Sequence, residues 1–500
     1  MGFGLALGLP PVSQIWLVVV CLSLLTVVDS RSRQRSLRQA FSGGFAFGCG
    51  YFGFALHWIG FAFLVDAKAD LWMMPFAVGG LAAIFAIYWG VAFTAIEWGA
   101  RRGIQRWLLL PLILALVEGL RGYLFTGFPW AVPGLMADGM GGVLQFASIV
   151  GMPGLTLFVL LWGGLPAALM LNRGSRNALI LPGVLFLTLP AVWVWGEARL
   201  VRHPADANSG PLIRLVQPNI AQSDKWRSEN AEKVFADLMA LTTAAASTSE
   251  LPAVVIWPES ALSFLLDEST PALQDIASGL GEGQTLLTGA IRRQRGFSGD
   301  DFFTSILTID TNGKVLSYYD KWRLVPGGEY LPLAWLLEPL GFRKVVNLPE
   351  AFSPGSGPAV SDVPGVGPAL MLICYEAIFP HKLVPDNMRP RWIVNVTNDG
   401  WFGRSVGPWQ HLAQVRMRAV EQGLPVARAA NTGISAVIDS FGRYVVRTGL
   451  ENRLFIDARL PPDLEPTVYA QAGVVPALVF AFLLAVLAFM RRAMIIELDK

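Results

Sequence analysis

The chain has 500 residues, of which 53% are hydrophobic and only 15% charged, against about 25% charged in ordinary globular proteins. That balance excludes disorder, a coiled coil and a nucleic-acid-binding arm. A net charge of +2 on 39 basic and 37 acidic side chains offers no field to attract a polyanion, so no nucleic acid partner is expected. The charge is unevenly placed: residues 1–200 carry 19 charged side chains and residues 201–470 carry 52. The first part reads as membrane and the second as water-soluble.

Residues 1–10, MGFGLALGLP, are apolar but too short to span a bilayer, and no basic segment or cleavage site marks them as a signal peptide. They read as a partial helix lying at the surface, or as what a late start leaves of a lost first span. Apolar runs near the roughly 20 residues of a spanning helix follow at 14–29, 43–65, 72–98, 107–126, 141–171, 178–196 and 471–490. Backbone groups in lipid must bond within their own segment, so these runs are read as helices.

Arginines fall at every second connection: Arg31, Arg33, Arg35 and Arg38; then Arg101, Arg102 and Arg106; then Arg173 and Arg176; then Arg491 and Arg492. Because basic residues gather in cytoplasmic loops, residues 197–470 are expected on the opposite side, the periplasm of a bacterium. The expected organisation is a transmembrane bundle at 1–197, a soluble domain at 210–462, a last transmembrane helix at 471–490 and a cytoplasmic tail at 491–500. Within the run at 107–126, Glu118 and Arg121 share a helical face. They read either as an ion pair pinning the bundle or as a point where a lipid headgroup enters.

In the soluble region, strand-like runs at 213–216, 253–257, 285–291, 305–309, 370–374, 392–396 and 434–438 alternate with helical stretches near 228–247, 271–279 and 409–423. This alternation predicts a layered α/β domain. Functional residues in such sheets sit just beyond strand ends. Three polar positions there stand out: Glu259 after VVIWP, Lys321 after YYD, and Cys374 after LMLI. A carboxylate near Cys374 can take the thiol proton, and a lysine can stabilise both the thiolate and a developing oxyanion. Histidine is the commoner base, and His203, His381 and His411 keep a Cys–His pair open on spacing alone. Three scattered cysteines give neither a disulfide framework nor a CxxC metal site, and no metal or organic cofactor is expected. Leu331–Leu340 and Phe342–Phe352 are apolar and proline-containing, fitting either a membrane-dipping arm or a packed insertion.

WPES around Glu259, YDKxxLVPxGEY around Lys321 and ICYE around Cys374 resemble, in that order, the Glu–Lys–Cys triad of the nitrilase superfamily of carbon–nitrogen hydrolases. QPNI at 217–220 with Lys225-Trp226, NVTNDGWFG at 395–403, residues 407–439 and ExxRxxxxTGFPW in the membrane part are similar, more narrowly, to bacterial apolipoprotein N-acyltransferases. The resemblance implies a polytopic helical membrane domain plus an α-β-β-α nitrilase-like sandwich in the periplasm, held in the inner membrane. It implies acyl transfer from a phospholipid, usually phosphatidylethanolamine, to the α-amine of a diacylglyceryl apolipoprotein. Cys374 would form a thioester, Glu259 act as base then acid, and Lys321 stabilise the oxyanion. Glu329 and Glu376 would orient the triad, Tyr375 lend a backbone N–H, and Trp226 and Trp401 contact substrate. A monomer is expected. The chain departs from the family at Gly327, where phenylalanine is common, and at Arg323, where histidine is; the glycine is expected to loosen the loop carrying Glu329. A membrane-anchored amidase and a non-catalytic scaffold are the competing readings.

Overall fold

The computed structural model describes the chain except for residues 32–34, 175, 207–208, 247–249, 297–298, 345–351, 381–382, 386–387 and 499–500, with backbone alone at 491–498. Helices occupy every apolar run: Ile15–Arg31, Leu37–Ala55, Met74–Ala100, Arg106–Arg121, Ala147–Leu171, the pair Arg176–Phe186 and Thr188–Arg202, and Val475–Leu498. Among the described residues, Ala67–Ala100, Ala147–Leu171 and Arg176–Arg202 are long and apolar enough to cross a membrane. Leu37–Ala55 and His57–Leu64 make a fourth only if the two, bent by 46°, count as one. Ile15–Arg31 and Arg106–Arg121 are shorter, at 17 and 16 residues. The N-terminal helix Gly2–Ala6 does not lie at the surface: Leu5, Ala6 and Leu9 are buried in the bundle core.

The helix through Glu118 stops at Arg121 because the chain then enters left-handed conformations at Phe125 and Thr126. Arg121 turns back over that loop. Its guanidinium pairs with Glu118, donates to the carbonyl of Trp130 at 2.9 Å and also to that of Phe128. Glu118 accepts from the Trp89 indole at 2.7 Å. Both charges are buried and engaged, which supports the ion-pair reading. Removing one partner of such a pair costs about 3–5 kcal/mol. Arg121→Gln is therefore expected to lower the melting midpoint of the detergent-solubilised protein; an unchanged midpoint would contradict this role.

Among the described residues, twelve strands form two six-stranded sheets: β1 Leu212–Gln217, β2 Val254–Ile256, β3 Thr285–Gly296, β4 Gly299–Ile309, β5 Val315–Asp320, β6 Val360–Val363, β7 Gly367–Ile373, β8 Trp392–Thr397, β9 Val426–Ala430, β10 Ala436–Ile438, β11 Tyr444–Arg447 and β12 Leu454–Arg459. The first sheet runs β12-β1-β2-β3-β4-β5 and the second β11-β10-β9-β8-β7-β6. Each has a parallel centre, β1-β2-β3 in one and β7-β8-β9 in the other, flanked by antiparallel strands.

Side chains alternate across each strand. Ala369, Met371 and Ile373 of β7 face Ile213, Leu215, Val254 and Ile256 of the first sheet, whereas Leu370 and Leu372 join the layer of helix Gly407–Gln422. Helices Ala231–Thr243 and Thr270–Gly279 cover the outer face of the first sheet. The result is an α-β-β-α sandwich. Each fully buried aliphatic side chain contributes about 1.5–3 kcal/mol, so the inter-sheet layer fixes how the strand ends of both sheets meet. The bundle core does not end at the sandwich: Tyr375, Ile378, Phe379, Ala413, Met417 and Val420 belong to it.

Candidate active site

Three strand ends converge. Glu259 lies just past β2, where the buried Trp257 anchors the turn by donating to Thr242 Oγ1 at 2.8 Å. β3 carries Gly289 beside it, and a Cβ there would come within 2.5 Å of the Glu259 Cα. Only glycine lets that turn seat against the sheet. Lys321 follows β5 directly. Cys374 follows β7 with φ +47°, a left-handed conformation uncommon for a side chain with a Cβ. Glu376 holds this elbow: Oε2 accepts from the Ile373 amide at 2.7 Å and from the Tyr319 hydroxyl at 2.9 Å. Its Oε1 accepts from the Trp322 amide at 2.8 Å, which joins the elbow to the loop after Lys321.

The Lys321 ammonium sits between two carboxylates, 3.0 Å from Glu259 Oε1 and 2.8 Å from Glu329 Oε1. Glu259 Oε2 accepts from the Asn398 amide at 2.9 Å, and Glu329 Oε2 from the Val325 amide at 2.7 Å. Burial alone would lower the pKa of Lys321, but the two carboxylates outweigh it and hold the lysine well above its ordinary value. Burial pushes the Glu329 carboxyl up. It also pushes the Cys374 thiol up, with Glu259 adding to the rise and Lys321 opposing it. Burial therefore favours the protonated thiol, which an adjacent base can ionise. Burial raises Glu376 to about 7.

Gly327 sits in a hydrogen-bonded turn. It takes φ +77°, and the turn is closed by its amide donating to the Tyr330 carbonyl at 2.7 Å and by the Glu329 amide donating to the Val325 carbonyl at 2.9 Å. Arg323 crosses to the membrane part, donating to the Thr126 carbonyl at 2.8 Å. Tyr375 does likewise through its hydroxyl, 3.1 Å from the Gly127 carbonyl. Trp130 donates to Gln410 Oε1 at 2.8 Å. Trp226 and Trp401 are half-buried on two loops coupled by the Asn398 side chain, whose Nδ2 donates to Gln222 Oε1 at 2.8 Å. Residues 345–351 of the apolar stretch lie outside the described residues, as does His381.

His411 lies under the nucleophile, but its ring nitrogens are occupied: Nδ1 is 2.8 Å from Asp399 Oδ1 and Nε2 is 3.0 Å from the Cys374 carbonyl oxygen. It braces the elbow rather than presenting a free nitrogen to the thiol. Asp399 also accepts from the Arg428 guanidinium at 2.7 Å and from the Thr397 hydroxyl at 3.1 Å. Cys374, Asp399 and His411 place one donor atom each within 4.8 Å of one another. Those of Asp399 and His411 already serve protein partners, so the group is a brace and not an open ligand set. This brace was not assigned in the sequence; its one signal is the polar run Asn395–Asp399 at the end of an apolar strand.

A buried carboxylate, lysine and cysteine at the ends of three strands of an α-β-β-α sandwich define a carbon–nitrogen hydrolase, and the carbon–nitrogen hydrolase family model matches residues 212–467. The family model for the apolipoprotein N-acyltransferase N-terminal domain matches residues 1–165. The chain is 42% identical over 468 residues to the apolipoprotein N-acyltransferase of Bradyrhizobium diazoefficiens, covering 92% of this chain and 87% of that one. It is 39% identical over 472 residues to that of Rhodopseudomonas palustris, covering 93% and 88%. The chain belongs to the apolipoprotein N-acyltransferase family. Among solved structures, an amidase from Nesterenkonia sp. AN1 is similar at 18% identity and a TM-score of 0.37, covering 54% of this chain and 96% of that one. The chain is accordingly an acyltransferase with a membrane domain; the amidase and scaffold readings are not favoured, since the match extends through the membrane half.

Proposed function

We propose that this chain acylates the α-amine of diacylglyceryl apolipoproteins in two steps through a thioester on Cys374. In the first step Glu259 takes the thiol proton and the sulfur attacks the ester carbonyl of a phospholipid. The oxyanion forms beside Lys321 and a backbone N–H contributed by Tyr375. Collapse breaks the C–O bond, and Glu259 returns the proton to the departing lysophospholipid. In the second step the amine attacks the thioester, passes its proton to Glu259, and the thiol is restored. Glu329 and Glu376 position the triad, and Trp226 and Trp401 contact the substrates. The observation that carries this reading is the Lys321 ammonium held between Glu259 and Glu329, at the ends of strands packed against the one bearing Cys374. The next residue, Tyr375, is part of the membrane-bundle core. A nucleophile so placed is reached from lipid and shielded from water.

The donor we infer is phosphatidylethanolamine, and the chain works as a monomer. The bundle spans 1–197, the catalytic domain 210–462 in the periplasm, the last helix 471–490, and the tail 491–500 in the cytoplasm, all in the bacterial inner membrane. Two groups of contacts support this orientation. Two of the arginine-bearing connections meet each other, with Arg106 3.5 Å from Asp29 and Arg35 3.7 Å from Glu97. The connections without arginine clusters touch the sandwich, through Asp70 with Arg343 at 2.8 Å and Asp138 with Arg416 at 2.9 Å.

The test is to incubate the purified full chain with phosphatidylethanolamine and a diacylglyceryl-cysteine peptide. An amide-linked acyl chain on the peptide with equimolar lysophospholipid is expected. Free fatty acid without acylated peptide would overturn the proposal.

A further inference from the structure

Lys225 ends the short helix Gln222–Lys225 and directly precedes Trp226. It is 1% exposed, which lysine tolerates only when its charge has a use or a partner. Its one hydrogen bond among the described residues is to the Glu259 backbone carbonyl, at 3.1 Å. Among them no carboxylate lies within 4 Å of it, whereas Lys321 has two at 3.0 and 2.8 Å. The Trp226 ring closes over it, with a centroid 5.6 Å from Nζ.

The arithmetic of charge gives this lysine a task. Glu259 and Glu329 with Lys321 leave one negative charge in a buried site. When the thiol proton moves to Glu259, that charge passes to sulfur, and the deficit persists unless a second cation is present. We propose that Lys225 is this cation, a positioning residue that holds the Glu259 turn and balances the Cys374 thiolate during acyl transfer. The inference rests on the acyl-transfer reading above and adds a residue to it. Burial lowers the pKa of Lys225 to about 8, while Glu259 and Cys374 pull it the other way, so the ammonium responds to both. The other groups that bear on the sulfur are Glu259, Lys321 and Asp399, with His411 beneath the Cys374 backbone.

The experiment follows alkylation of Cys374 by iodoacetamide against pH, read by mass on the peptide containing it, in the full chain in detergent. Lys225→Gln keeps an N–H for the Glu259 carbonyl but removes the charge; Lys225→Arg keeps the charge; Lys225→Met removes both. Lys225→Gln and Lys225→Met are expected to move the alkylation midpoint upward by about one pH unit or more, and Lys225→Arg to stay near the unsubstituted chain. A Lys225→Gln profile superimposed on the unsubstituted one would overturn the proposal, even if Lys225→Met fails to fold. Normal Lys225 behaviour in a chain that accepts no acyl group from phospholipid would instead contradict the acyl-transfer reading.

Discussion

Cys374→Ala is expected to reduce N-acyl transfer by about 10⁴-fold or more, the order lost when a covalent catalyst is deprived of its nucleophile or its partner, while melting close to the unsubstituted chain. The reason for the split lies in the backbone. Cys374 occupies its left-handed conformation because Glu376 ties the preceding Ile373 amide and the Trp322 amide of the neighbouring loop, and because His411 holds the Cys374 carbonyl. Alanine has the same Cβ and meets the same strain, so only the sulfur is lost. Cys374→Gly removes that strain, of order 1–3 kcal/mol, and is expected to be equally inactive but to melt no lower than Cys374→Ala. Activity in either variant, assayed as acylated peptide, would remove the sulfur from the mechanism.

Lys321→Met is expected to abolish transfer and also to destabilise the fold. Without the ammonium, Glu259 and Glu329 face each other as buried carboxylates, and leaving a buried charge without its partner costs about 3–5 kcal/mol. For a domain of this size that lowers the melting midpoint by roughly 6–20 °C. The sign of the pH dependence follows. Burial already pushes the Glu329 carboxyl up and the variant loses the ammonium that opposes this, so the folded state prefers Glu329 protonated and the deficit narrows as pH falls. Lys321→Met combined with Glu329→Gln removes one of the like charges and is expected to regain part of the stability and none of the activity. A Lys321→Met protein that melts like the unsubstituted chain would contradict the buried carboxylate–ammonium cluster.

The strand ends that carry the site are legible because β2 and β7 are continuous apolar runs buried on both faces, so the first polar residue after each stands out. β5, β11 and β12 are half-exposed and mix polar with apolar side chains, and β9 is VARAA, whose apolar content is alanine. None of the four stands out by hydropathy as a buried strand, and Lys321 at the end of β5 is marked instead by the YDK motif. Partners far apart in the chain are illegible for another reason. Arg214 and Arg428 sit inside strands where charges are unexpected, and they are tolerated because Asp457 and Asp399 meet them at 2.8 and 2.7 Å. In the membrane part, composition carries the run at 107–126 past the true helix end. Leu124 and Phe125 are apolar by type, yet the backbone there has left the helix to let Arg121 reach the Phe128 and Trp130 carbonyls.

The central claim is that Cys374 receives the acyl chain before the acceptor arrives. Incubating the full chain with phosphatidylethanolamine labelled in one acyl chain, without acceptor, and weighing the peptide that contains Cys374 tests it most directly. A mass gain of one labelled acyl group on that peptide is expected, removed by hydroxylamine as a thioester is. Label on another peptide, or acylated acceptor formed with no such intermediate at any time, would contradict it.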